Sequence, residues 1–221
     1  MRNIIRISLA TIAFVITFFA FTIYLDSIFI RSPKVDLSNY FQPGDKLLSR
    51  FEGFDQTVLA VNDGWVHTRL EVAPNAGGPP EHMHRHFTET FTVKKGTLSI
   101  LINGEKRVLH EGETISIPPM TAHRPFNETN ETVVVESDDP KSLPVEFAYH
   151  LTQMYGFMDS YSNGPPLPQM LMQLSVYGDE FDSLIVGPPV SVQKTMRTLI
   201  APTARLMGYS NYYQEFKPKR G

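Results

Sequence analysis

The strongest pattern of apolar positions stands at the start of the chain. Ile7 to Leu25 (ISLATIAFVITFFAFTIYL) carries no charge and no proline. A helix over that stretch, rising about 1.5 Å per residue, nearly crosses a hydrocarbon core of about 30 Å. Arg2, Arg6 and the α-amino group precede it, and Asp26 closes it. A buried core helix rarely lacks a polar face altogether. A cleaved signal peptide has a shorter apolar region, about 7–15 residues, ending in a small-x-small site. The residues that follow here, FTIYLDSIFIR, offer no such site. The expectation is an uncleaved, single-pass membrane anchor within residues 1–31. The positive residues ahead of it favour a cytoplasmic N-terminus, against which Arg31 and Lys34 weigh from the other side. On that reading the remainder of the chain is extracytoplasmic.

From residue 32 to 55 the pattern loses any period, interrupted by Pro33, Pro43 and Gly44, and reads as a linker. Beyond it the segments QTVLAV, WVHTRLEVA, TETFTVKKG, TLSILI, EKRVLH, ETISIPP and ETVVVES are short and rich in β-branched residues. Asn103-Gly104 between TLSILI and EKRVLH is the strongest hairpin signal, because a type I′ turn needs φ > 0 at both central positions. Lys95-Gly96 and Glu111-Gly112 mark further turns. Short strands separated by closely spaced turns predict a mainly β domain, sandwich or barrel, over 56–146. In 147–221 the period changes again: Pro165, Pro166 and Pro168 break the chain, then PQMLMQLSVYG and SVQKTMRTLI read as short amphipathic helices. In the second, Val192, Met196, Leu199 and Ile200 share one face and Lys194 and Arg197 point away. The expectation is a helical extension capping one end of the β domain. The basic run Lys194, Arg197, Arg205, Lys217, Lys219 and Arg220 would also suit a membrane surface.

Composition narrows the classes. The 221 residues allow one ordinary domain with appendages, and 42% hydrophobic with 11% aromatic residues is enough for a real core. A net charge of −3 and a pI near 6.2 give no sign of a nucleic-acid surface. The absence of cysteine excludes disulfides, thiolate ligands and a cysteine nucleophile.

Three of the seven histidines fall in the run Glu81-His82-Met83-His84-Arg85-His86. On an extended strand alternate side chains share a face, so His82 and His84 point the same way and suit one ion. Glu89 has odd parity to both. It rejoins them only if the chain bends across Arg85 to Thr88 and Glu89 opens the next strand, where Glu89, Phe91 and Val93 share a face. A lone carboxylate among apolar neighbours is costly unless paired or bound to a cation. His86 reads as a loop residue in the bend. Trp65, His67 and Arg69 alternate on one strand face and suit either a cavity lining or an exposed sheet face. His123 follows a proline turn.

These segments resemble a known family. HMHRHFTETFTVKKG resembles the first cupin motif, a histidine pair, a glutamate and a closing glycine. GETISIPPMTAHRPFN resembles the second, with Gly112, Pro118, His123 and Asn127 at its marked positions. The resemblance implies a cupin double-stranded β-helix, or jelly-roll barrel, holding one divalent transition metal (Fe, Mn, Ni, Zn or Co) on His82, His84, Glu89 and His123. Gly96 closes the first motif. Two positions depart from the pattern. Ala76 stands where the first glycine is expected, which should shift that turn onto its neighbours Gly77 and Gly78. Met120 replaces the second motif's glycine, which should alter the φ of that turn and set a thioether near the site mouth. Asn127 reads as a turn cap.

Three imidazoles and one carboxylate suit several borderline metals, and four protein ligands on an octahedral ion leave about two positions open. What the resemblance implies is a metal-dependent enzyme, dioxygenase-like or an isomerase or decarboxylase, with Glu89 as ligand and proton acceptor. The alternatives are a non-catalytic small-ligand or sensory module, or a closed structural metal site. An accessible, partly apolar cavity beside the cluster separates the first two from the third. The expected partners are a small-molecule ligand or substrate and, through the N-terminal helix, a membrane. A homodimer is an open assembly.

Overall fold

The structure is a computed structural model that describes residues 2–218, with side chains from Leu9 onward. The side chains of Arg2 and Arg6, and residues Lys219 and Arg220, lie outside the described residues. Helix α1 spans Arg2–Phe29. The following strands are β1 (Lys46–Ser49), β2 (Phe54–Asn62), β3 (Trp65–Val72), β4 (His82–Met83), β5 (Glu89–Lys95) and β6 (Thr97–Ile102). They continue with β7 (Glu105–His110), β8 (Thr114–Ile117), β9 (His123–Phe126), β10 (Val133–Glu136) and β11 (Leu143–Pro144). Three helices, α2 (Val145–Asp159), α3 (Leu167–Val176) and α4 (Val190–Leu206), complete the chain, with β12 (Leu184–Ile185) between the last two.

The strands form two sheets. One has seven strands in the order β1-β2-β3-β10-β5-β8, with β11 also paired to β3. The other has five, β12-β4-β9-β6-β7. Among the described residues the ladders close no barrel, so the mainly β expectation stands and the closed jelly-roll ring is not what the hydrogen bonds draw. Between the sheets Phe54, Leu70, Val72, Phe91, Val93, Leu98, Ile100, Val133 and Val135 form one apolar core. A second core continues along the same face of β2 and β3 and joins it to α2, through Val58, Val66, Phe147, Met154 and Tyr155. The hairpin of β6 and β7 turns at Asn103 (φ 48°) and Gly104 (φ 80°), both left-handed as a two-residue I′ turn requires.

Three expectations are corrected. The stretch read as a linker, 32–55, contains β1, paired antiparallel to β2, because Leu47 and Phe41 are buried in the core against α2. On α4 the apolar face proposed from periodicity is turned outward: Val192 and Met196 are about half exposed, while Ala201, Pro202 and Ala204 are buried. Small residues allow close packing against α1 and α3, and that contact overrides the wider apolar stripe. Helix α2 carries no helical signal in the sequence, because it is apolar on nearly every side and so shows no amphipathic period.

Candidate metal centre

Each of the four residues picked from the sequence is delivered by a different device. His82 and His84 sit on and just after β4, two residues apart and on one face. The chain then bends through Arg85–Thr88, and Glu89 opens β5, so parity is reset and the carboxylate turns back toward the imidazoles. His123 opens β9 and is the register partner of His82. The turn before it is tightened by a hydrogen bond from the Met120 amide to the His84 carbonyl, 2.7 Å. One ligand atom from each of His82, His84, Glu89 and His123 lies within 4.8 Å of the others.

The ring nitrogens are sorted by their backbone partners. His82 Nδ1 lies 2.9 Å from the Pro80 carbonyl, His84 Nδ1 2.5 Å from the Asp182 carbonyl and His123 Nδ1 2.9 Å from the Thr121 carbonyl. A carbonyl accepts only, so each Nδ1 carries the proton when the ring is neutral, and each Nε2 lone pair faces inward. That is how a metal-ligating histidine is oriented. His84 Nε2 is buried and has no hydrogen-bond partner, although it lies 3.4 Å from Glu89 Oε2. An orphaned, inward-facing nitrogen on a residue only 3% exposed is what a cation would satisfy, so the donor set fits a divalent metal.

Electrostatics agree. Burial and the adjacent His84 and His123 push the His82 imidazole down to about 3, so it stays neutral. Burial pulls His123 down, but the Glu89 carboxylate, 2.8 Å from its Nε2, outweighs this and raises it. Burial likewise pushes Glu89 up, and the same imidazole partners outweigh it and hold the carboxyl below the ordinary range. Each partner thus favours the charged form of the other, and a bound cation would take the place of the proton between them.

The other candidates fall elsewhere. His86 is exposed, its Nδ1 3.3 Å from Asp182, and takes no part in the cluster. Asn127 is buried and ties a turn: its amide donates to the carbonyls of Val72, Ala73 and Glu131, and its Oδ1 accepts from Thr129. The glycine missing at Ala76 is supplied two positions on, since Gly78 has φ 67° and a Cβ there would stand 2.0 Å from the Pro125 carbonyl oxygen. Met120 keeps the left-handed turn at φ 62°, and its thioether points to solvent rather than the cavity, correcting both expectations for it. Of β3, Thr68 and Leu70 face the cavity. Trp65, His67 and Arg69 lie on the other face, where His67 meets the Ser137 carbonyl and Arg69 pairs with Glu136.

Two supports were invisible in the sequence. Asp182, only 5% exposed, accepts from the backbone amides of Arg85 and His86 at 2.8 Å each and from Arg85 Nε at 3.0 Å, which fixes the bend between the ligand strands. Phe87 stacks on the His84 ring at 4.4 Å and Phe147 of α2 meets its edge at 4.9 Å. No local signal marks the Asp182 and Phe147 contacts across such separations. Beside the cluster lies a cavity of about 210 Å³, partly open and mostly apolar, onto which His82, His84 and Glu89 face. A single water needs roughly 10–15 Å³ of such space, so there is room for an organic molecule beyond a metal's waters.

Three histidines and one glutamate thus converge within a β domain, beside a largely apolar cavity. Residues 68–137 match the family model described as a cupin domain. The chain is similar to KdgF from Halomonas sp., at 21% identity and TM-score 0.35, over 38% of this chain and 76% of that one. It is similar to a cupin-2 domain containing protein from Shewanella frigidimarina, at 26% identity and TM-score 0.32, over 36% and 74%. A protein named as a sugar phosphate isomerase from a cupin superfamily, from Silicibacter pomeroyi, matches at 20% identity and TM-score 0.35, over 49% and 77%. No curated protein matches the chain.

Proposed function

We propose that this is a membrane-anchored, metal-dependent cupin acting on a small organic substrate held in the cavity, by dioxygenase-like or isomerase chemistry. The observation that carries the reading is the inward-facing Nε2 set of His82, His84 and His123 with Glu89, opening on an apolar space large enough for a substrate. A divalent ion held by these four residues would supply Lewis acidity to an oxygen brought against it. The chain's own residues do the rest. The three rings stay oriented by their Nδ1 partners, and the apolar wall of Phe91, Leu143, Phe147 and Phe181 keeps water away from the reacting group. Glu89, which already shares a proton with His123, is the group placed to accept one from a substrate hydroxyl or C–H. The lining contains no lysine or arginine, which argues against a phosphorylated substrate. A closed structural metal site is disfavoured by the cavity itself. Anchoring is supported by α1, whose Leu9–Phe29 segment has a mean hydropathy of 2.0 and is almost wholly exposed.

The test is metal content by inductively coupled plasma mass spectrometry on the full chain in detergent, beside a His82→Ala/His84→Ala variant. Near-stoichiometric transition metal that vanishes in the variant is expected, and iron would direct the next step to oxygen-consumption assays. A well-folded wild-type protein that takes up no metal on reconstitution sinks the reading.

A further inference from the structure

The cavity has a second polar feature that the metal cluster does not use. Glu52, in the turn between β1 and β2, lines it at 6% exposure and is hydrogen-bonded to the Tyr155 hydroxyl of α2. The surrounding donors run in one direction. Thr68 Oγ1 donates to Gln56 Oε1 at 3.1 Å, and Gln56 Nε2 donates to the Tyr155 oxygen at 3.3 Å. All of these side chains are buried. With its oxygen already accepting from Gln56, Tyr155 turns its own hydrogen to Glu52. Position is fixed from behind: Asp159, one turn after Tyr155 on α2, accepts from the backbone amides of Arg50 and Phe51 at 2.9 and 3.0 Å. Among the described residues neither Glu52 nor Tyr155 is hydrogen-bonded to the metal cluster. Burial above all, with the Glu89 charge adding to it, keeps the phenol protonated.

We propose that Glu52 and Tyr155 form a polar subsite, which takes an uncharged oxygen, a carbonyl or hydroxyl, on a small apolar ligand sharing the cavity with the metal cluster. The proposal deepens the reading of this cavity as a substrate site and rests on it. Its chemistry follows from the charge inventory. Burial pushes the Glu52 carboxyl up to about 8, so at neutral pH it is an O–H donor, with Tyr155 occupying its acceptor side. A ligand acceptor completes the set. An anionic group would meet the Glu89 carboxylate with no lysine or arginine in the lining to offset it.

The test uses the full chain in detergent, stripped of metal with a chelator, and three probes read by ¹⁹F NMR titration: 4-fluoroacetophenone, 1-ethyl-4-fluorobenzene, which replaces the carbonyl by methylene, and 4-fluorobenzoate. Wild type is expected to prefer the ketone over the hydrocarbon by on the order of 5-fold, as one added hydrogen bond allows, and to bind the benzoate least. Glu52→Leu/Tyr155→Phe should bring the preference near unity while keeping the hydrocarbon's affinity, and Glu52→Gln, which retains a donor, should preserve it. An unchanged preference in the double variant, or benzoate binding more tightly than the ketone, overturns the proposal. Should the double variant not fold, the wild-type order of ketone and benzoate decides. Because the protein is metal-free here, failure of the subsite with metal uptake intact, and the reverse, are separate results.

Discussion

Met120 holds a turn at φ 62° that a β-carbon disfavours, and its side chain is 52% exposed, so little packing is at stake. A non-glycine residue in the left-handed region costs about 1–2 kcal/mol, offset in part by the unfolded-state freedom that glycine restores. Met120→Gly should therefore raise stability by roughly 0.5–1 kcal/mol in chemical denaturation, with the His84 carbonyl contact kept. Glu52 makes a pH prediction. Its folded-state pKa of about 8 is above its unfolded value, so the folded chain holds the proton longer. The stability this contributes is full at acid pH below the unfolded value and is lost as pH rises through about 8. The charge of Asp159 reinforces the rise. Glu52→Gln should flatten that part of the stability profile and leave the variant the more stable form above pH 8, by up to a few kcal/mol.

At the scale of elements, the two-residue strand β4 is too short to hold itself. It is gripped on one side by β9 and on the other by β12, through Leu184↔Met83 and Ile185↔His82. The same loop that carries β12 brings Asp182 under the bend. Thus the segment after α3 is a structural part of the cluster, not only a cover over it. Asp182→Ala would strand two part-buried amides and leave Arg85, whose side chain is only 12% exposed, with only the longer carboxylate contact to Asp179 at 3.6 Å. A loss of about 2–4 kcal/mol in stability is expected. Metal affinity should fall about 10-fold, because the His84 ring loses its orientation. Denaturation and calorimetric metal titration read the two separately, and unchanged metal affinity would show that β4 is held by its ladders alone.

For the whole molecule, the apolar helix α1 is joined to the rest of the fold by more than a tether. Arg205 of α4 grips Asp26 at the end of α1 with two bonds, Nε–Oδ1 2.8 Å and Nη2–Oδ2 2.6 Å. On the two helices that this pair joins, Val192, Met196 and Met207 of α4 and its end, and Phe14, Ile16 and Phe29 of α1, leave apolar surface exposed. Exposed apolar surface of this extent is unfavourable in water and favourable against lipid. The full chain should sediment with membranes and resist an alkaline carbonate wash, and a chain lacking residues 1–31 should be released. Release of the full chain by the same wash would remove the anchor from the proposed function.

Much of this was readable from local order. Strand parity paired His82 with His84 and required a bend before Glu89, because the side-chain period of an extended chain is two whatever surrounds it. Asn103-Gly104 located a hairpin for the same reason: the φ requirement belongs to the turn itself. The apolar run at the N-terminus is equally local. Tertiary structure alone decided the rest. Only packing could show that α2 is a buried wall of the site, since a helix covered on all sides has no amphipathic signature. Residues 32–55 contribute a strand because Leu47 finds a core made by α2, about a hundred positions away in the chain. Asp182 and the Glu52–Tyr155 pair carry no motif, because hydrogen bonds between distant segments depend on where the backbone goes and not on which residues are neighbours in the chain.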